Sequence, residues 1–462
     1  MKNKTIIFVI NTMTYFTILL EVVKLFKRFH YNPILYFPMH YPTIDRDLLV
    51  CKKERLHYVV GYSRAEGKKT NKFVKIICYI FSRLFISRFI SDISYYLNET
   101  KSIKTFILKV KPSVIILAGD NIGYNTEIFI KVGHLLRIPS VIIPSWMAGA
   151  KEAAEAYYKN PDFDLKRPLN KLIGLLDSKW VYEHKKKKLL RWPASKILAI
   201  KLFKIVPPKP WALNSGYADI ILAESKAMHR YMVREGLTEE KIKVVGSLSD
   251  DVLANNIDNS TKRKKEAYLK FNLDPQKPII LCAIPPDMLH GSRVNVCEFK
   301  SYKKLVEFWV ETISKFTNYN IIISLHPSAE YKDICYIEKK WKVKIIQESI
   351  INLIPLCDIF VACISATIQW AVTCGKPVIN YDVYHYNYDD YKKVDGVVTV
   401  DLKDDFIKEM SKIANDQGYF AKLEKIQKSI ASEWGMLDGK SGERIIKAIN
   451  ELSIEMDKKG NG

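Results

Sequence analysis

Five stretches of this chain carry side chains able to seat an anion, move a proton or stack on a ring. Ser365-Ala366-Thr367 lie between an apolar run, 359–363, and a helical pattern closed by Gly375. A helix opening at such a polar turn offers amide N–H groups and a positive dipole end, the usual seat of a phosphate. The same hydroxyls also suit an ordinary helix cap, and the two duties are compatible. His326, followed by Pro327 and Ser328, stands at the carboxyl end of the β-rich run 320–325. Its backbone must be extended, so its ring can enter a crevice, where a partly cationic imidazole would stabilise a departing anion. The alternative is a structural histidine bonded to a nearby carbonyl.

Asp120, in VIILAGDNIGYN, follows a strand and precedes a helix. A carboxylate there can take a proton from a hydroxyl, or it can cap the next helix. In Ile284–Arg293, Gly291-Ser292 permits close backbone approach, Arg293 can pair with a phosphate or carboxylate, and His290 lies beside them. The dense run Asp382–Tyr391 places Tyr384 and Tyr388 where aromatic faces stack on sugar rings or bases, unless the tyrosines only plug a hinge.

Positioning these groups requires parallel sheets, because in open α/β sheets ligands lie beyond the carboxyl ends of the strands. Strand-like runs at 5–10, 32–37, 56–60, 113–118, 139–143 and 218–223 alternate with helical sequence and predict a first Rossmann-like domain over 1–255. A second set at 279–283, 321–325, 343–346, 359–363, 378–381 and 397–400 predicts a second such domain over 272–401. Helices over 402–462 are expected to return to the first domain. The fold class is therefore α/β, with two Rossmann-like domains facing across a cleft. At 462 residues, 48% apolar and 26% charged, the chain has the length and balance for two folded domains.

The order strand-His-Pro, "PLCD" step, strand-Ser-Ala-Thr, helix-Gly-Lys-Pro-Val-Ile resembles the donor domain of GT-B glycosyltransferases of bacterial capsule and lipopolysaccharide synthesis. Non-hydrolysing UDP-N-acetylglucosamine 2-epimerases and CDP-polyol phosphotransferases share the pattern. The resemblance is closest over 277–400 and looser in the N-terminal half. It implies that His326 contacts donor phosphate or carboxylate and that Ser365 and Thr367 seat the phosphate. It also implies no metal and no cofactor beyond a nucleotide-sugar co-substrate. Two departures matter. The epimerases carry an H-x-E-A-G segment where this chain has Ser145-Trp146-Met147-Ala148-Gly149, so Met147 stands in place of their catalytic acid. Nucleotide-sugar enzymes often place a ribose-binding Glu where this chain has Trp370, leaving Gln369 as the neighbouring candidate and the nucleotide, UDP or CMP type, undecided.

The net charge of +22 implies a polyanionic partner. It concentrates in two basic amphipathic insertions, about 71–111 and 163–211, both of which read as helical. The second holds thirteen Lys/Arg against three acidic residues, interleaved with Trp180, Trp192 and Trp211. Basic residues adsorb to anionic headgroups and tryptophans enter the interface, so an anionic membrane surface is the expected partner. Nucleic acid is not expected, since no recognition motif accompanies the charge. Eight scattered cysteines without CxxC spacing fit a reducing cytoplasm and no zinc site. The first apolar run is broken at Asn11-Thr12 and contains Glu21, which reads as strand-loop-helix rather than a signal peptide.

Together these readings predict a metal-independent, inverting glycosyltransferase, peripheral on the inner membrane face. It would pass a sugar from a nucleotide donor to a lipid-linked or polysaccharide acceptor, with Asp120 activating the acceptor hydroxyl. A polyol-phosphate transferase or UDP-sugar 2-epimerase is the alternative on the same fold, and a non-catalytic membrane scaffold is the second.

Overall fold

Runs such as Ile279–Ala283 (IILCA) and Ile359–Ala362 (IFVA) are apolar on both faces, which suits interior strands of a parallel sheet covered by helices on each side. A computed structural model describes residues 4–61, 85–143, 149–289, 297–326, 329–388 and 391–460 of the chain. The described chain forms two compact units. The first comprises residues 1–223, 228–245 and 442–462, and the second 224–227 and 246–441.

The first unit contains β1 (Thr5–Val9), β2 (Asn32–Phe37), β3 (His57–Val60), β4 (Val114–Leu117), β5 (Ser140–Ile142), β6 (Val181–His184), β7 (Lys187–Leu190), β8 (Ile220–Ala223) and β9 (Ile242–Val244). Seven of these form a parallel sheet in the order β3-β2-β1-β4-β5-β8-β9. The remaining pair, β6 and β7, is an antiparallel hairpin. Helical sequence was expected over this lysine-rich stretch. Instead Lys185 and Lys186 form a tight turn with φ of 47° and 63°, the backbone that a two-residue hairpin loop demands. The Lys185 ammonium meets Glu155 at 2.8 Å.

The second unit holds β10 (Ile279–Ala283), β11 (Asn320–Ser324), β12 (Lys344–Ile346), β13 (Ile359–Ala362), β14 (Val378–Tyr381) and β15 (Val397–Val400). Their order is β12-β11-β10-β13-β14-β15, all parallel. One face of this sheet is sealed by Trp309, Tyr381 and Phe406; the Tyr381 and Phe406 rings stack at 4.4 Å. Helices Lys403–Asn415 and Gln417–Trp434 belong to the second unit, while helix Ser441–Gly460 belongs from Gly442 onward to the first. There Arg444 Nε donates to the Val245 carbonyl at 2.7 Å.

Both sheets reverse their winding once. In the first unit the chain runs outward from β1 to β3 and resumes at β4 on the other side of β1; in the second it runs from β10 to β12 and resumes at β13. The loops beyond β1 and β4, and beyond β10 and β13, therefore diverge and leave crevices at their carboxyl ends.

Candidate functional site

At the β10/β13 reversal the second unit holds a cavity of about 440 Å3. It is lined by Ala283–Pro286 after β10, Ser324–His326 after β11, Cys363–Thr367 after β13, and Tyr384, Tyr386 and Tyr388 after β14. Four separate loops thus converge on it. His326, Ser365, Thr367, Tyr384 and Tyr388, selected from sequence, all line this one space.

The turn after β13 is built with strain. Ile364 sits at φ +40°, a left-handed conformation that costs a β-branched residue about 1–3 kcal/mol. It is held by Asn380, buried on β14, whose Oδ1 accepts from the Ile364 amide at 2.8 Å. The Asn380 amide in turn donates to Thr399 Oγ1 on β15 at 3.3 Å. Strain of this kind persists where surrounding structure enforces it, and here it lifts Ser365 toward the cavity. No sequence signal marked Asn380, whose role depends on strand order.

The helix that follows, Thr367–Thr373, is shorter than expected, and its first amides are already engaged. Thr367 N donates to Ser365 Oγ at 3.3 Å, Ile368 N to the Ser365 carbonyl at 3.0 Å and Gln369 N to the Ala366 carbonyl at 3.2 Å. Ser365 Oγ and Thr367 Oγ1 lie 2.8 Å apart. The turn therefore offers hydroxyls more than bare amides, and the open amide cradle read from the sequence is reduced.

His326 is exposed at the cavity, with its carbonyl accepting from Ala329 N at 2.8 Å. Desolvation by the surrounding protein pushes its imidazole below the ordinary value, which favours the neutral ring over the partly cationic one expected. A bound phosphate would reverse that shift, since an adjacent anion favours the protonated form. The tyrosine loop is organised by Asp382, whose two carboxylate oxygens accept from Tyr386 N at 2.9 Å and Asn387 N at 2.7 Å. Tyr384 is 2% exposed, and its hydroxyl donates to the Pro286 carbonyl at 2.6 Å, tying the β14 loop to the β10 loop. Tyr384 thus shapes the wall, while Tyr386 and Tyr388, with ring centroids 5.1 Å apart, present partly exposed faces.

Other sequence candidates stand elsewhere. Asp120 is completely buried, and its carboxylate accepts from the backbone of Ser215 (2.5 Å), Tyr217 (2.8 Å) and Ala218 (3.4 Å). It clamps the segment leading into β8, neither capping the next helix nor reaching any solvent-borne hydroxyl. Burial pushes its carboxyl upward while the amide donors pull it back. Gln369 is also buried, its Nε2 donating to the Trp434 carbonyl at 3.2 Å, and it does not line the cavity. It instead reaches Glu224, whose carboxyl is pushed up to about 8 by burial, with the Asp250 charge adding to the shift. His290 and Arg293 lie outside the described residues, as do Pro327, Ser328 and Met147. Trp180 and Trp211 are core residues, and Trp211 Nε1 donates to the Trp180 carbonyl at 2.9 Å, so neither is free to enter a membrane. No group of three or more metal-ligating side chains occurs among the described residues.

No family model matches the chain, and no curated protein matches it. Solved structures do. A UDP-GlcNAc 2-epimerase from Neisseria meningitidis bound to UDP-GlcNAc is 14% identical, with 97% of this chain and 100% of that one covered and a TM-score of 0.53. A putative UDP-N-acetylglucosamine 2-epimerase from Listeria monocytogenes is 13% identical, with 99% and 98% covered and a TM-score of 0.54. An S. aureus MnaA–UDP structure is 13% identical, with 97% and 96% covered and a TM-score of 0.52. At such identities the likeness is one of fold.

Proposed function

Starting from a chain with the GT-B fold, two Rossmann-like units, we propose that it is a glycosyltransferase whose second unit binds a nucleotide-activated sugar. The observation that carries this reading is the convergence of His326, Ser365, Thr367, Tyr386 and Tyr388 on one cavity at the β10/β13 reversal. The hydroxyls of Ser365 and Thr367 would bond phosphate oxygens. His326, protonated by the phosphate's own field, would donate to the leaving nucleotide as its bond to the sugar carbon breaks, while the acceptor oxygen forms the new bond to that carbon and releases its proton to water. Tyr386 and Tyr388 would stack on the base or sugar. The acceptor, lipid-linked or polysaccharide, would be met at the cytoplasmic membrane face. Asp120, buried under the amides of Ser215, Tyr217 and Ala218, has no access to an acceptor hydroxyl brought from solvent and takes no part in this reading.

A 2-epimerase reading draws support from the bound UDP-GlcNAc of the Neisseria protein, but Met147 replaces the acid that this chemistry uses in the resembled family. A polyol-phosphate transferase would use the same cavity for a CDP donor. Thermal shifts with UDP, CMP, CDP and GDP test the site: one nucleotide should raise the melting temperature of the wild type by mass action, and His326→Ala should abolish the rise. No shift with any nucleotide would reject the proposal. Product analysis with the selected donor then separates a glycosidic bond from a phosphodiester or an epimerised sugar.

A further inference from the structure

Helix Pro168–Leu176 in the first unit, PLNKLIGLL, wears its leucines outward. Leu169, Leu172, Leu175 and Leu176 are 43%, 51%, 77% and 71% exposed, while Asn170 and Ile173 are buried at 3% and 4%. The orientation is fixed by polar bonds. Asn170 Nδ2 donates to the carbonyls of Asp162 and Asp164, both at 2.9 Å, and its Oδ1 accepts from Ala194 N at 3.1 Å. Turning the leucines inward would strand all three. Gly174 reinforces this seat, since a Cβ there would stand 2.7 Å from Leu165 and 2.9 Å from Val181. Four leucines on a nine-residue helix, held facing water by a buried amide, mark a contact surface.

The charge around the helix selects the partner. The helix carries no acidic residue, and Lys166, Arg167, Lys171 and Lys179 on or beside it are exposed. Next to it Leu165 N donates to the carbonyl of Lys188, bringing the β6–β7 hairpin and its exposed Lys186 and Lys188 alongside. Three nearby carboxylates are already engaged, Asp162 with Arg167 at 2.6 Å, Asp164 with Lys187 at 3.2 Å and Asp177 with Lys201 at 2.8 Å, while the exposed Glu183 lies opposite Lys188 in the hairpin. Lys171, Lys186 and Lys188 form no ion pair among the described residues. A second copy of this face would set cations against cations, which disfavours self-association.

The geometry points to this leucine face and its lysine rim as the docking surface for an anionic lipid bilayer, with leucines entering the interface and lysines adsorbing to headgroups. This rests on the membrane-face placement proposed above, and it moves the contact from the buried tryptophans to the exposed leucines. No described helix is long and apolar enough to cross a membrane.

The test is co-sedimentation of the full chain with phosphatidylglycerol-containing vesicles and with pure phosphatidylcholine vesicles. The wild type should bind the anionic vesicles preferentially, and less in 0.5 M salt than in ~0.1 M. The pair Leu175→Gln and Leu176→Gln should weaken binding at least tenfold, and the triple Lys171→Gln, Lys186→Gln, Lys188→Gln should remove its salt dependence. Both sets should keep the wild-type melting temperature, because the replaced side chains are exposed. Nucleotide-induced melting shifts should also be unchanged, so failure here stays separable from failure of the donor site. The inference is overturned if the wild type ignores anionic vesicles or the leucine variant binds them as the wild type does. It is equally overturned if light scattering shows the leucine variant breaking a dimer while vesicle binding persists.

Discussion

Replacing Asn380 by alanine removes the one side chain that holds Ile364 in its left-handed turn. The Ile364 amide then loses its 2.8 Å acceptor, and an unsatisfied buried donor costs about 1–3 kcal/mol. The contact to Thr399 at 3.3 Å is lost as well, worth about 0.5–1.5 kcal/mol. If the turn stays as it is, the second unit should be destabilised by about 2–4 kcal/mol, with nucleotide binding little changed. If instead Ile364 relaxes to negative φ, it recovers about 1–2 kcal/mol of steric cost. The loss of stability then shrinks, but Ser365 and Thr367 swing out of register and binding collapses. Urea unfolding of the whole chain, followed by hydrogen exchange at the Ile364 amide, separates the two cases alongside nucleotide titration. Hydrogen exchange is needed because a two-unit chain need not unfold in a single transition. Either outcome supports a supporting role for Asn380 behind Ser365. An Asn380→Ala protein with wild-type urea midpoint, wild-type Ile364 protection and wild-type nucleotide affinity would refute the reasoning.

Two more substitutions follow from carboxyls that the fold desolvates, Asp120 and Glu224. Asp120→Ala orphans the amides of Ser215, Tyr217 and Ala218 and should destabilise the first unit by about 3 kcal/mol or more. A folded Asp120→Asn protein with unchanged melting temperature but abolished turnover would restore Asp120 as a catalytic group. Glu224 has its folded-state pKa raised from 4.5 to about 8, so its neutral form is favoured in the native state. Stability from this group is full below pH 4.5 and is progressively lost as pH rises to about 8. Glu224→Gln should therefore be more stable than wild type by about 1–3 kcal/mol at pH 8.5, discounted for the partial exposure of Glu224, with the gap closing toward pH 4.5. Equal denaturant midpoints of the two proteins at pH 8.5 would contradict the assignment.

The parallel strands were legible because their apolar, β-branched runs are continuous, a pattern that depends only on local sequence. The convergence of His326 with Ser365 and Thr367 was legible for a related reason: strand ends in an α/β sheet share one edge. Roles that depend on what a side chain touches across the fold were not. Asp120 reads as a base or a cap from its neighbours, yet its partners lie 95 to 98 residues away. Asn380 sits in a strand of the pattern VINY, where an asparagine is unremarkable until β13 is known to lie beside it. The lysine-rich hairpin was misread as helix because four consecutive lysines carry no turn signature and only the alternation of the flanking strands betrays it.

At the first unit's own reversal the described side chains behind the β1 and β4 loops are polar and buried, and this bears on how an acceptor would be used. Asn11 Nδ2 donates to the Tyr124 carbonyl at 3.2 Å across the β1 and β4 loops, and Asp120 and Tyr15 are buried beside them. The unit's exposed features include a leucine face and a lysine hairpin. A transferase whose acceptor were a small soluble sugar would need a polar subsite in one unit or the other. A transferase whose acceptor is presented by a bilayer needs mainly to hold itself at that surface, because confinement to two dimensions raises the local acceptor concentration. If the chain binds a bilayer through its leucine face and lysine hairpin, that placement favours an acceptor delivered by the same surface. Turnover that is equally fast with a short soluble acceptor and a vesicle-borne one, in wild type and in Leu175→Gln/Leu176→Gln alike, would show that the surface contributes nothing to acceptor use.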